Sequence, residues 1–147
     1  MGLSAGFATN RGLVRHSNED SFLVRTGLYV VCDGMGGARG GEVASQMACE
    51  RMVAIDPGSA GKDEVRAAIV NANESISARS FAEPHLLGMG TTLTLALIRD
   101  HTVLLGHVGD SRAYLLHDGK VLREGTSSFL INDEVSRQLY LGPEFRM

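Results

Sequence analysis

An α+β domain is the fold class that the 147-residue sequence predicts. Strand-like segments occupy its beginning and its last third, two helical segments stand together between them, and the regular strand-helix alternation of a parallel sheet does not appear. Composition sets the outer bounds. With 44% hydrophobic and 21% charged residues the chain reads as one globular domain. A domain of this length buries about 70% of its unfolded-chain surface, enough for a core without structural zinc. The formal charge is −3 and the basic residues are scattered, which argues against a nucleic-acid partner. No run approaches the ~18 apolar residues of a membrane span, and the N-terminus lacks a basic head followed by an apolar stretch, so a cytoplasmic location is expected. Cys32 and Cys49 lie in apolar surroundings without paired spacing and are expected to be buried, reduced thiols.

Each element has its own signal. Leu3, Ala5 and Phe7 alternate with small residues and suggest a first strand, and residues 20–25 and 28–32 suggest two more across a Thr26-Gly27 turn. Ala44, Met47, Ala48, Arg51, Met52 and Ile55 follow helical spacing until Asp56-Pro57-Gly58 stops it. A second helix over residues 62–81 presents Val65, Ile69, Ala72 and Ile76 as its buried stripe. From Gly90 the period becomes two, with both faces of residues 90–98 partly apolar, as in a strand inside a layered stack. Another strand is expected over 102–108. Residues 112–117 and 120–124 form a hairpin through Asp118-Gly119, the strongest short turn signal in the chain. The stretch 125–147 differs in kind, with a short helix expected over 132–141.

Acidic residues stand where strands end: Glu19 and Asp20 before the second strand, Asp33 after the third, Asp110 in the Gly109-Asp-Ser-Arg112 turn. Loops at strand ends expose reactive groups. Asp33 follows apolar residues and precedes five glycines within residues 34–41, so its carboxylate emerges beside open backbone carbonyls. Carboxylate and carbonyl oxygens suit Mg²⁺ or Mn²⁺, whereas zinc favours His and Cys. A phosphate-cradling loop is the rival reading of these glycines, but Arg39 stands where a dinucleotide fingerprint needs glycine, and Glu42 and Val43 stand where a P-loop needs Lys and Ser or Thr. Arg15 could bring a forked guanidinium to a phosphate at the acidic cluster, or serve as a surface ion-pair partner. Arg112 reads more simply as a brace for the loop carboxylates. In the plainest alternative the acidic loops are only turns of a structural domain.

Four motifs stand in order: Thr-Asn-Arg-Gly-Leu-Val-Arg-His-Ser-Asn-Glu-Asp over 9–20, Asp-Gly-Met-Gly-Gly over 33–37 with Gly-Glu-Val-Ala-Ser over 41–45, Gly-Met-Gly-Thr-Thr over 88–92, and Gly-His-Val-Gly-Asp-Ser-Arg-Ala-Tyr over 106–114. Together they resemble the bacterial branch of the metal-dependent protein serine/threonine phosphatases of the PPM, or 2C, type, over roughly residues 5–124. The resemblance implies an α-β-β-α sandwich holding two Mg²⁺ or Mn²⁺ ions between its sheets and hydrolysing phosphoserine and phosphothreonine in proteins. It further implies that Asp33 bridges both metals, that Gly34 offers its backbone carbonyl, and that Glu19 and Asp20 act through water. Arg15 would bind the substrate phosphate, and Asp110 matches a ligand of a third metal. The implied mechanism is two-metal hydrolysis, in which an activated water attacks phosphorus in line. Met35 takes the place of a histidine found in some members.

The resemblance also implies an incomplete domain. The family's Ser-Asp-Gly motif and late Asp-Asn pair do not occur, so residues 1–124 are expected to be the N-terminal part of the phosphatase domain and 125–147 a divergent tail. Asp33, Glu19 and Asp20 offer three negative charges to two divalent ions, so weak metal binding is expected. The missing strands would leave a sheet edge and an apolar face open, inviting a partner or self-association. A non-catalytic relative that binds phosphoproteins or another partner is the alternative function.

Overall fold

Alternating side chains decide the central layer. In the computed structural model, which describes residues 3–36, 40–100 and 102–125, strand β2 runs Leu28–Met35 with Leu28, Val30, Cys32 and Gly34 buried. Its other face carries Val31, Asp33 and Met35, all exposed, and Tyr29, half-buried. Strand β1, Asp20–Arg25, pairs antiparallel with β2 from Arg25↔Leu28 to Asp20↔Asp33. Gly27, at φ +81°, supplies the left-handed conformation this tight hairpin requires. On the other side of β2 lies β4, Leu93–Arg99, which pairs in turn with β5, Thr102–Val108, giving the order β1-β2-β4-β5. The short strand β3, Gly90–Thr91, pairs with the end of β2.

Two helices cover one face. Helix α1, Gly40–Met52, packs on β1 and β2, and α2, Lys62–Ala82, packs beside α1 and reaches β5. Glu64 accepts a hydrogen bond from the Gly61 N–H at 3.0 Å and so tethers the start of α2. The core is their shared interior, with Leu28, Ala44, Met52 and Leu95 fully buried. Gly106 of β5 permits the approach of α2, because a Cβ there would lie 3.0 Å from Ile69 Cδ1 and 3.2 Å from Val65 Cγ1. Strands β6, Ala113–His117, and β7, Lys120–Gly125, form a separate two-stranded sheet, with Asp118 and Gly119 at φ +49° and +73° making the turn.

The α+β order stands, with several shifts. The strand expected around Leu3, Ala5 and Phe7 is absent: residues 3–10 are irregular, and the Phe7 ring lies on Phe22 with centroids 4.4 Å apart. Gly6 and the alanines around it favour no pleated conformation, so alternation alone does not make a strand. Strand β2 continues through Asp33 to Met35 because β3 supplies it with ladder partners. Helix α1 starts at Gly40 and ends at Met52, ahead of the Asp56 stop. The segment expected as one strand over 90–98 is broken at Thr92, whose N–H donates to the Asp33 carbonyl at 2.9 Å. Both cysteines are buried thiols. The helix expected over 132–141 lies outside the described residues, as does the tail from residue 126 onward. No helix among the described residues is long and apolar enough to cross a membrane.

Candidate active site

The end of the β1-β2 hairpin opposite its turn brings carboxylates together by register alone. Asp20 and Asp33 are cross-strand partners, and residues directly opposite on one face of an antiparallel pair hold their Cβ atoms about 4.5–5.5 Å apart. Like charges so placed repel. Burial, then the charge of Asp20 and its shared hydrogen bond, and then the charge of Asp110 push the Asp33 carboxyl above the ordinary carboxylate range, while Arg15 opposes the shift. Asp20 is held by its own network: Thr9 Oγ1 donates to its Oδ2 at 3.0 Å, Asn18 Nδ2 donates to Thr9 Oγ1 at 2.8 Å, and Asn18 Oδ1 accepts from the Asp20 N–H at 3.1 Å.

Close backbone contact explains the glycines. The Gly34 N–H donates to the Glu19 carbonyl at 3.2 Å, and a Cβ on Gly34 would lie 2.6 Å from that oxygen and run into the Gly41 backbone. A Cβ on Gly41 would in turn meet Glu19 Oε2 at 2.6 Å. The Glu19 carboxylate therefore lies on the first turn of α1, where the helix dipole favours negative charge. Ser45, fully buried, ties the corner: its Oγ donates to the Glu19 carbonyl at 2.6 Å and lies 3.0 Å from Ser21 Oγ.

Arg15, Glu19, Asp20, Asp33 and Gly34 line one polar cleft of about 220 Å³, which the exposed loop carrying Asn10 and Arg11 completes. Five of the six expected site residues are thus gathered. Asp110 does not line the cleft, although its charge reaches Asp33. Thr92 bridges the two: its Oγ1 accepts from the Asp33 N–H at 3.0 Å and lies 2.9 Å from Ser111 Oγ, and Thr91 Oγ1 donates to the Asp33 carbonyl at 3.0 Å. Thr92 and Ser45 were missed as individual residues, although each ends a glycine-containing motif. A larger groove, about 420 Å³, lies between α2 and β3 on the helix side and carries no ionisable side chain.

The donor set is oxygen throughout, which fits Mg²⁺ or Mn²⁺ in kind. In number it is partial, because among the described residues no three His, Cys, Asp or Glu side chains converge on one ion position. Asp20 and Asp33 form a two-carboxylate face beside the Gly34 backbone, and a bound cation would neutralise the repulsion that Arg15 offsets only in part.

A family model described as Protein phosphatase 2C matches residues 14–135. The serine/threonine protein phosphatase PstP of Mycobacterium tuberculosis is 44% identical over 116 residues, covering 77% of this chain and 23% of that protein. The serine/threonine phosphatase stp of Listeria monocytogenes is 36% identical, covering 92% and 58% of the two chains. Among solved structures, the PstP catalytic domain in complex with two manganese ions superposes with a TM-score of 0.70 at 43% identity, covering 76% of this chain and 50% of that one. The chain thus spans between 23% and 58% of the length of these relatives.

Proposed function

The chain belongs to the protein phosphatase 2C family, and from that premise we propose that it acts in the Mg²⁺- or Mn²⁺-dependent hydrolysis of phosphoserine and phosphothreonine in proteins. Its architecture is the N-terminal part of that α+β fold. The observation that carries the proposal is the meeting of Asp33, Asp20, Glu19, Gly34 and Arg15 in one cleft, with the Asp33 carboxyl pushed up by burial and then by its acidic neighbours.

Asp33, with the Gly34 carbonyl, would hold the metal, Glu19 and Asp20 would hold it through water, and Asp110 would contribute to a further ion. Bound ions supply Lewis-acid charge at phosphoryl oxygens and lower the pKa of water. The chain's own residues do the rest. Arg15 lines the same cleft as the acidic cluster and offers a planar fork of N–H donors to a phosphate. Thr9 and Asn18 keep the Asp20 carboxylate turned in, and Ser45 and Gly41 fix the Glu19 corner. Preorganised donors and charges of this kind lower the barrier because they need no rearrangement during reaction.

Residues 1–124 are read as part of the phosphatase domain and 125–147 as a divergent tail. A cytoplasmic setting belongs to the same reading. So does association with a partner or a second copy through the exposed sheet edge; the exposure of Phe22, Val24 and Val31 on the adjoining open face supports it.

The test is release of phosphate from a phosphothreonine peptide by the 147-residue chain with Mn²⁺. Turnover that depends on Mn²⁺ and disappears in Asp33→Asn is expected, and turnover unchanged by that substitution would overturn the assignment. No turnover at all would reject activity for this chain and leave its family membership standing.

A further inference from the structure

His107 faces the open side of the sheet at the end of β5, paired in register with Thr94. Its Nε2 lies 2.9 Å from the Gly109 carbonyl, and its Nδ1 lies 3.0 Å from Thr94 Oγ1. A carbonyl only accepts, so Nε2 carries a proton and donates to Gly109, while Nδ1 shares a hydrogen bond with the Thr94 hydroxyl. The ring therefore ties the turn after β5 back to β4. Gly109 sits at φ +104° against Thr92, where a Cβ would come within 2.7 Å of Thr92 Cγ2. On the far side of Asp110, Ser111 Oγ meets Thr92 Oγ1 at 2.9 Å, and that same oxygen accepts the Asp33 N–H. Asp110 is thus flanked by two pins, one through His107 and one through Thr92.

We propose that His107 is a positioning residue: by clamping the Gly109 carbonyl it holds the Gly109-Asp110-Ser111 turn so that Asp110 is presented toward Asp33. The proposal rests on the reading that Asp110 belongs to the metal site. The charge of Asp110 does reach Asp33 across the gap between the β2 end and this turn.

The test uses the ¹⁵N-labelled 147-residue chain. Without metal, backbone order parameters of residues 109–111 are expected near the rigid value of about 0.85 in the unsubstituted chain and below about 0.6 in His107→Ala. His107→Gln, whose terminal N–H₂ reaches the position of Nε2, is expected to restore rigidity, which simple volume loss does not explain. A turn that stays rigid in His107→Ala overturns the proposal. Should His107→Ala fail to fold, His107→Phe keeps an aromatic ring on the sheet and removes both nitrogens: a loosened turn supports the proposal and a rigid one overturns it. Mn²⁺ titration by calorimetry then reads the consequence, with binding expected to weaken about tenfold in His107→Ala and to recover in His107→Gln. Unchanged Mn²⁺ affinity in His107→Ala, where Asp110→Asn does weaken binding, also overturns it. Mn²⁺ binding equal in the unsubstituted chain, Asp33→Asn and Asp110→Asn would instead overturn the active-site reading, whatever the turn does.

Discussion

Asp33 stands on the exposed face of a strand whose other face is core, and its surroundings raise its pKa. Between the ordinary Asp pKa and the raised folded value, the native chain binds more protons than the unfolded one, so stability falls as pH rises through that interval and stays lower above it. Asp33→Asn removes the charge and keeps the shape. Thermal melts of the metal-free protein are expected to show this variant more stable than the unsubstituted chain at neutral pH, with the difference vanishing below the ordinary carboxyl range. A lower melting temperature at neutral pH would mean that Asp33 is stabilised by its neighbours, contrary to the arrangement described. Arg15 and Asp33 were visible from motif context, while Ser45 and Thr92 were not, because a buried hydroxyl that bridges backbone groups looks like any other serine or threonine in a sequence.

Elements are joined here by short, tightly bonded corners. Between α1 and α2, Asp56 Oδ2 accepts from Ser59 Oγ at 2.6 Å and Oδ1 accepts from the Gly58 N–H at 3.1 Å. These bonds, the Ser59 one foremost, hold the Asp56 carboxyl below its ordinary pKa. The associated stability is present above the unfolded pKa and is lost as pH falls through the depressed folded value. Urea midpoints should therefore be lower for Asp56→Ala at neutral pH and converge with the unsubstituted chain in strong acid. The α2-β5 contact offers a second check. Gly106→Val adds bulk where Ile69 and Val65 already press on the backbone, and overpacking of this kind costs about 1–3 kcal/mol, readable in denaturant unfolding. Helical spacing and strand alternation made these elements legible. Their ends were less so, since Met35 belongs to its strand only through a partner distant in sequence.

For the whole molecule, the asymmetry of the sheet matters most. Helices cover the face carrying Leu28, Val30 and Leu95, whereas the other face shows Phe22, Val24 and Val31 at 37%, 38% and 55% exposure. Phe7 shields part of this surface by lying on Phe22. Apolar side chains in a contiguous exposed row favour association. Sedimentation velocity is expected to show concentration-dependent self-association, reduced by Val31→Lys; a monomer across the concentration range would remove self-association from the functional reading.

Period, turn chemistry and motif order, all local, were enough to establish from the sequence an α+β chain with two adjacent helices, an Asp118-Gly119 hairpin and a cluster of acidic loops with Arg15. Tertiary structure decided the continuation of β2 through Asp33, the seating of Glu19 against Gly41, and the pinning of Asp110 through His107 and Thr92. Local patterns record which face of an element is apolar. Which polar atoms meet across strands far apart in the chain depends on register and close backbone approach, and these exist only once the sheet and helices have packed.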